Sequence, residues 1–292
     1  MATEIYQAIV DGVLVGGVYD LMAVGLTLIF GVLDIINIAQ GILVVLGAYL
    51  SYSLSGRLGI GLFLGLLVTV PAMFVLGVAI QWAFIRPLRG RERTSMTLLV
   101  TYAMALIIEG VLYRIYGPDD KQLSASYVTS SVHVLGFYLP YIYLLGFGLA
   151  VVLVVALYLL LYRTRFGRSV RATMQDQTAA RLVGIDTSRV AALTFGVGVG
   201  VTAVGGMMFG ATNSFNPNSG YDLISRLLAI IILGGLGSIG GALAASVFML
   251  TVVSLVDVWS PNWANAVFYA ALVLVLLIRP TGFFGRQAVR AE

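Results

Sequence analysis

The residues of this chain that could do chemistry are sparse. Cysteine is absent from all 292 positions, which excludes thiolate metal sites, disulfides and thiol nucleophiles. The one histidine, His133, leaves no HExxH metal motif. Ser238 sits in LGSIG, where Leu236 replaces the first glycine of GxSxG, and no neighbouring base is apparent to activate it. No GxxxxGK[ST] occurs, so the chain has no P-loop for ATP. A GxGxxG at Gly235, Gly237 and Gly240 lies inside a long apolar run, not between a strand and a helix of a soluble unit, and carries no dinucleotide reading. What remains is a set of ionisable residues in apolar runs: Asp20, Glu109 and Asp257. At membrane depth such a group is expensive and is a functional candidate by default; the alternative is a carboxylate satisfied by a hydroxyl or backbone group near a helix end. Both readings stay open for Asp20 and Glu109. His133 falls in a polar stretch and reads as ordinary surface.

The elements that must hold these residues follow from composition. Hydrophobic residues make up 60% of the chain and charged ones 10%, against about 25% charged in a soluble domain. Mean hydropathy is +0.99. Several windows are long and apolar enough to cross roughly 30 Å of hydrocarbon as helices. The expectation is an all-α polytopic membrane protein, a single transmembrane domain over residues 1–292 with no room for an additional soluble domain. The first residues, MATEIYQAIVDG, carry Glu4 and Asp11 but no basic region, which argues against a cleaved signal peptide.

Thirteen of the 17 Lys and Arg residues fall in three segments. These hold Arg86, Arg89, Arg91 and Arg93; Arg163, Arg165, Arg168, Arg171, Arg181 and Arg189; and Arg279, Arg286 and Arg290. The positive-inside rule makes all three cytoplasmic. The pI near 9.4 is thereby accounted for by topology, and no nucleic-acid partner is expected. Residues 60–85 then run inward and 94–117 outward, with 117–140 as an extracytoplasmic loop. Residues 141–162 return, 190–212 go out, and 262–279 end inside. Arg57, Arg114, Lys121 and Arg226 fall near the outer ends of spans under this scheme.

Parity constrains the rest. Residues 213 and 260 are both outside, so 223–257 must leave the outer face and return, with too few residues for two full-length helices of about 20. Two shorter helices joined across Gly234, Gly235, Gly237, Gly240 and Gly241 fit, because glycine tolerates the dihedrals of such a junction. Non-helical backbone at that depth survives only inside protein or beside a water-filled cavity. The run 25–50 is interrupted as well, by Asp34, Asn37 and Gln40, whose i, i+3, i+6 spacing predicts one shared helical face. Either one or two spans fit before residue 56, which leaves the direction of the N-terminus open. The expected total is about eight hydrophobic helical elements, two of them interrupted, as in the discontinuous helices that line transport sites. The polar face Asp34, Asn37 and Gln40, the glycine break and Asp20 are the candidates for a translocation path or gate. GxxxG spacings at Gly12/Gly16, Gly61/Gly65, Gly196/Gly200, Gly206/Gly210 and Gly237/Gly241 support close helix packing.

The inner loop, about 163–190, is rich in Ala, Gln and Arg, good helix formers. Ser169 is expected to cap and Gly184 to stop a cytoplasmic helix over 169–184. Within it, TAARLVG resembles the EAA-x3-G signature of bacterial ABC importer permeases, with Thr178 in the Glu position, then Ala179, Ala180 and Gly184. AVGLTLIFGVLDIINIAQGILVVLGAYL (23–50), AIIILGGLGSIGGALAAS (229–246) and LVLLIRPTGFFGR (274–286) are similar to the H-type (LivH-like) permease subunit of branched-chain amino acid ABC importers. In the first block that family commonly reads N-x-A-H-G, and here Gln40 takes the His position.

The resemblance implies a heterodimer with a second, M-type permease, two ABC ATPase subunits below it and a periplasmic substrate-binding protein. It also implies a bacterial inner membrane, with the C-terminus cytoplasmic. The inner helix becomes a coupling helix, with Arg171, Gln175, Thr178, Ala179, Ala180, Arg181 and Gly184 as the residues toward the ATPase. ATP and Mg belong to the partner subunits, and no cofactor is expected in this chain. The family's solutes include branched-chain amino acids, urea, short amides and aromatic acids. The rival reading is an ion-gradient-driven secondary transporter or channel with Asp20 or Glu109 as relay, and a structural scaffold is a third. The AA-x3-G spacing argues against the second reading and the interrupted helices against the third.

Overall fold

The computed structural model describes residues 2–88, 93–125, 128, 131–134, 137–279 and 281–285. Arg89, Arg91, Arg286 and Arg290 of the basic segments lie outside these residues. The chain is an all-α polytopic membrane protein. In hydrocarbon every backbone polar group must be satisfied within the chain, and long apolar runs meet that condition as helices. Eight helices among the described residues are long and apolar enough to cross a membrane.

The first is α1, Ala2–Leu33, whose 32 residues reach about 48 Å, more than a bilayer core. It is followed by α2 (Gln40–Leu58) and α3 (Leu62–Ile80), which runs on through a π turn to Ile85. Then come α4 (Arg93–Tyr116), α5 (Tyr141–Arg163) and two short helices, α6 (Arg165–Gln175) and α7 (Gln177–Leu182). The chain closes with α8 (Thr187–Thr212), α9 (Ser219–Gly234), α10 (Ile239–Trp259) and α11 (Ala264–Ile278).

Helices α1 and α8 are the core, with 83% and 89% of their most apolar windows buried, whereas only 11% to 28% is buried in α3, α4, α5 and α11. The apolar surface of that outer group therefore faces lipid or other subunits. Helix α1 packs antiparallel on α10 through Gly12 and Gly16, where a side chain would collide with the backbone at Thr251 and Val247. Of the other GxxxG pairs, Gly61 and Gly65 meet nothing within 4 Å.

The expected outer loop holds a feature that sequence did not suggest, a hairpin of β1 (Ser131–Val134) and β2 (Phe137–Pro140). Gln7 ties the start of α1 to it, accepting from the Tyr138 backbone N–H at 3.0 Å and donating to its carbonyl at 2.6 Å. The beginning of α1 therefore lies on the same side as this loop, and two spans, not one, precede residue 60.

Three expectations need correction. Asp34, Asn37 and Gln40 do not share a helical face: α1 ends at Leu33, Asp34 takes φ 53°, and residues 34–39 form a non-helical link. The break at 234–241 is confined to residues 235–238, and of the two helices it joins only α9 is short, since α10 has 21 residues. A segment at 213–218 supplies the first part of the descent that α9 completes. Finally, the inner helix 169–184 is two helices, capped not by Ser169 but by Thr164 and Asp176. Both capping side chains accept backbone N–H groups of the turn that follows them.

Candidate functional site

Two helix starts meet near mid-membrane. Gln40, at the first residue of α2, donates through Nε2 to Thr202 Oγ1 of α8 at 2.6 Å and to the Met22 carbonyl of α1 at 3.4 Å. Met22 lies well inside α1, so α2 begins at mid-depth and climbs from there. Asn37 Nδ2 donates to Gln40 Oε1 at 3.4 Å, and both side chains are fully buried. Asp34 is exposed at the lower end of the link. The start of α9 lies against the start of α2: a side chain at Gly41 would collide with the Gly220 carbonyl. The first turns of a rising and a descending helix thus share one level.

Asp20 lies on α1 in the same layer. It is fully buried, neither carboxylate oxygen has a hydrogen-bond partner, and it continues the Gly12–Gly16 stripe by one turn. That places it on the face of α1 that packs on α10.

Beside the crossing, α4 packs on α2 and meets the start of α9 through one side-chain pair, leaving a narrow cleft. Its walls are Ile38, Ile42, Ala105, Pro217, Gly220 and Ile224, with Glu109 and Tyr221 as the polar groups. Tyr221 donates its hydroxyl proton to Glu109 Oε2 at 2.6 Å, so the carboxylate is satisfied by a hydroxyl, one of the two alternatives expected. The face of α9 beside it exposes Tyr221, Asp222 and Ser225. Arg226 lies in the second turn of α9 and reaches the outer end of the last span. Its guanidinium donates to Tyr19 Oη at 2.9 Å and to Asn265 Oδ1 at 2.8 Å, in the first turn of α11.

At the inner ends the glycines gather. Gly235 and Gly237 take φ of +95° and +81°, a region that L side chains rarely adopt. Gly234 and Gly241 face each other across the junction: a side-chain carbon at Gly234 would be 2.5 Å from the Gly241 carbonyl oxygen. Gly240 faces open space. Ser238 caps α10, its Oγ accepting the Gly241 N–H at 3.1 Å. The tail closes over α9, with Phe283 N–H donating to Leu233 O at 2.7 Å and Phe284 N–H to Gly234 O at 3.2 Å. These bonds satisfy carbonyls that a helix end leaves without partners.

The inner pair α6–α7 reaches this junction. A side-chain carbon at Gly31 would stand 3.2 Å from both Gly237 Cα and Met174 Cε, so α6, the end of α1 and the glycine break touch at one point. Arg171 lies 4.6 Å over the Tyr162 ring and Gln175 is exposed at the end of α6. On α7, Thr178 and Ala179 are exposed while Ala180 is buried, and Arg181 Nε donates to Thr187 Oγ1 at 2.9 Å. Gly184 ends the element at φ +85°. Sequence reasoning missed Leu182 and Val183, which are 85% and 76% exposed at its tip. Their place directly after Arg181 was the available signal.

A family model described as branched-chain amino acid transport system / permease component matches residues 8–276. The chain is 30% identical to the high-affinity branched-chain amino acid transport system permease protein LivH of Escherichia coli, over 97% of this chain and 96% of the relative. It is 29% identical to the corresponding permease protein BraD of Pseudomonas aeruginosa, over 98% of both. A more distant relative is the autoinducer 2 import system permease protein LsrC of Yersinia enterocolitica, 27% identical over 87% of this chain and 69% of the relative. No solved structure matches the chain.

Proposed function

The chain belongs to the branched-chain amino acid transport system permease component family, and from that premise we propose that it forms half of an ATP-driven importer for amino acids. The other half is a second, M-type permease, and a periplasmic binding protein delivers the solute. Two ATPase subunits dock on the cytoplasmic side of the inner membrane, where the C-terminus also lies. ATP and Mg are held by those subunits. This chain supplies a wall of the path and the lever.

The observation that carries the proposal is the α6–α7 element. It projects Leu182 and Val183 beyond its own bundle, an apolar tip suited to a cleft in a soluble partner, and its other end touches α1 and the glycine break. A push on α7 is thereby delivered to the short helix α9 and to the link before α2. Asp34, Asn37 and Gln40, with Gly234, Gly235, Gly237, Gly240 and Gly241, form the zone that hinges as access alternates. Asp20, buried and without a hydrogen-bond partner in the same layer, belongs to the same path or gate.

The test is coupling. In proteoliposomes holding the complete importer, Ala180→Asp or Gly184→Leu is expected to leave insertion intact and to separate ATP hydrolysis from uptake. Ala180→Asp buries a carboxylate under the element, and Gly184→Leu forces a side chain onto a positive φ. Uptake at the wild-type rate in both variants would remove α6–α7 from the coupling role.

A further inference from the structure

Helix α5 ends at Arg163, and α6 turns back against its last turn after a single residue, Thr164. The turn is tight. Thr164 Oγ1 donates to the Leu160 carbonyl at 2.5 Å and accepts from the Gly167 N–H at 3.0 Å, and a side chain at Gly167 would collide with the Leu160 and Leu161 carbonyls. One turn further on, Arg171 is set 4.6 Å over the Tyr162 ring, which itself stacks on Tyr158 at 4.4 Å. Both tyrosines are exposed, on a span with only 22% of its most apolar window buried. This edge of α5 therefore faces lipid, and tyrosines near the end of a span sit at headgroup level. Arg163, Arg165 and Arg168 are exposed beside them. The buried side of α6 is Gly167, Val170 and Thr173, which leaves its arginines, spaced i, i+3, i+6, on the other side. Among the described residues none of these four guanidiniums has a carboxylate within ion-pair distance, whereas Arg189 pairs with Asp186 and Arg181 bonds Thr187.

We infer that this rim holds an anionic phospholipid, its phosphate received by the arginines of α6 and its acyl chains lying along Tyr158 and Tyr162 of α5. Guanidinium groups hold phosphate oxygens through paired, charge-assisted hydrogen bonds. A basic cluster at the end of a span draws anionic lipid to itself. The positive-inside rule accounts for arginine on this side of the membrane, but not for its gathering beside a stacked tyrosine pair with no partner in the chain. Tyr162 is a positioning residue: its ring face holds the Arg171 guanidinium at the edge of α5. The inner helices then divide their work, α7 carrying the exposed Leu182–Val183 tip while α6 is anchored at the bilayer surface. This inference goes beyond the importer reading, since it holds whatever solute the chain carries.

The test isolates the tagged full chain, with the subunits that accompany it, in mild non-ionic detergent. Equal amounts of phosphatidylglycerol and phosphatidylcholine with the same acyl chains are added, and the retained lipid is counted by native mass spectrometry. The wild-type protein is expected to keep phosphatidylglycerol in roughly tenfold preference or more. The double variant Arg168→Gln/Arg171→Gln is expected to lose most of that preference. Arg86→Gln/Arg189→Gln removes the same charge from exposed positions outside the rim and is expected to keep it. Tyr162→Leu is expected to weaken retention and Tyr162→Phe, which keeps the ring, to preserve it; this pair decides the matter if the first double variant does not fold. Equal losses in the two double variants would reduce the effect to net charge and overturn the site. Release of the lipid by added inorganic phosphate would make it a site for soluble anions, and lipid retention unchanged in Arg168→Gln/Arg171→Gln while an ATPase is lost would give these arginines to the ATPase; either result overturns the inference.

Discussion

Gln40 illustrates how one side chain sets the depth of an element. Its amide joins α2 to α8 and α1 and receives Asn37, and the Gln40, Asn37 and Thr202 side chains are fully buried. Replacing it by leucine strands the Asn37 donor and removes two tertiary hydrogen bonds, so Gln40→Leu is expected to destabilise the chain by about 1–3 kcal/mol. A melting curve of the purified complex in detergent measures this, and an unchanged midpoint would mean that the amide network does not hold α2 in place. The types of these residues were legible in the sequence, as polar interruptions of an apolar run. Their geometry was not, because Asp34, Asn37 and Gln40 have the same spacing whether the helix continues or stops. The left-handed turn at Asp34 decides it, and nothing in the local pattern demands that turn. Asp20 was legible as an acid in an apolar run; its place on the α10-facing side of α1 follows from the Gly12–Gly16 stripe, visible in sequence only as one glycine pair among several.

At the scale of elements, the glycine break separates into two kinds of position. Gly237 needs its positive φ and touches Gly31, whereas Gly240 is helical and faces open space. Gly237→Leu is therefore expected to abolish uptake or assembly, and Gly240→Leu to leave both near wild type. Uptake and co-purification in the two variants check this, and equal behaviour would show that the junction is not a packed contact between α1 and the α9–α10 turn. The break was legible from parity and glycine density, yet its length was overestimated, because parity counts residues without knowing that 213–218 makes part of the descent. The inner element was legible as helical, but its caps were not. Ser169 was the cap expected from sequence, and only the hydrogen bonds from Thr178 and Ala179 show that Asp176 restarts the helix. The Glu109–Tyr221 pair lay beyond sequence reasoning, since its partners are 112 residues apart.

Among the described residues the molecule is eight long apolar helices, one of which (α2) starts at mid-depth, plus the shorter α9 that starts beside it, wrapped on the buried pair α1 and α8. That number was legible from apolar runs and basic loops alone, since membrane thickness and the positive-inside rule act on composition. What composition could not supply is the division of labour among faces. An apolar tip at Leu182 and Val183 points away from the bundle, and the first two turns of α9 expose Tyr221, Asp222 and Ser225 at membrane depth. Neither makes sense for a chain that works alone: the first calls for a soluble partner below and the second for a facing membrane subunit. The most direct measurement is to isolate the chain from native membranes in mild detergent through a tag and identify what accompanies it. The account predicts a second permease and two P-loop ATPases, with the ATPases lost when Leu182 and Val183 are both changed to aspartate. A chain that emerges alone or only with copies of itself, and that binds no ATPase on reconstitution, would contradict it.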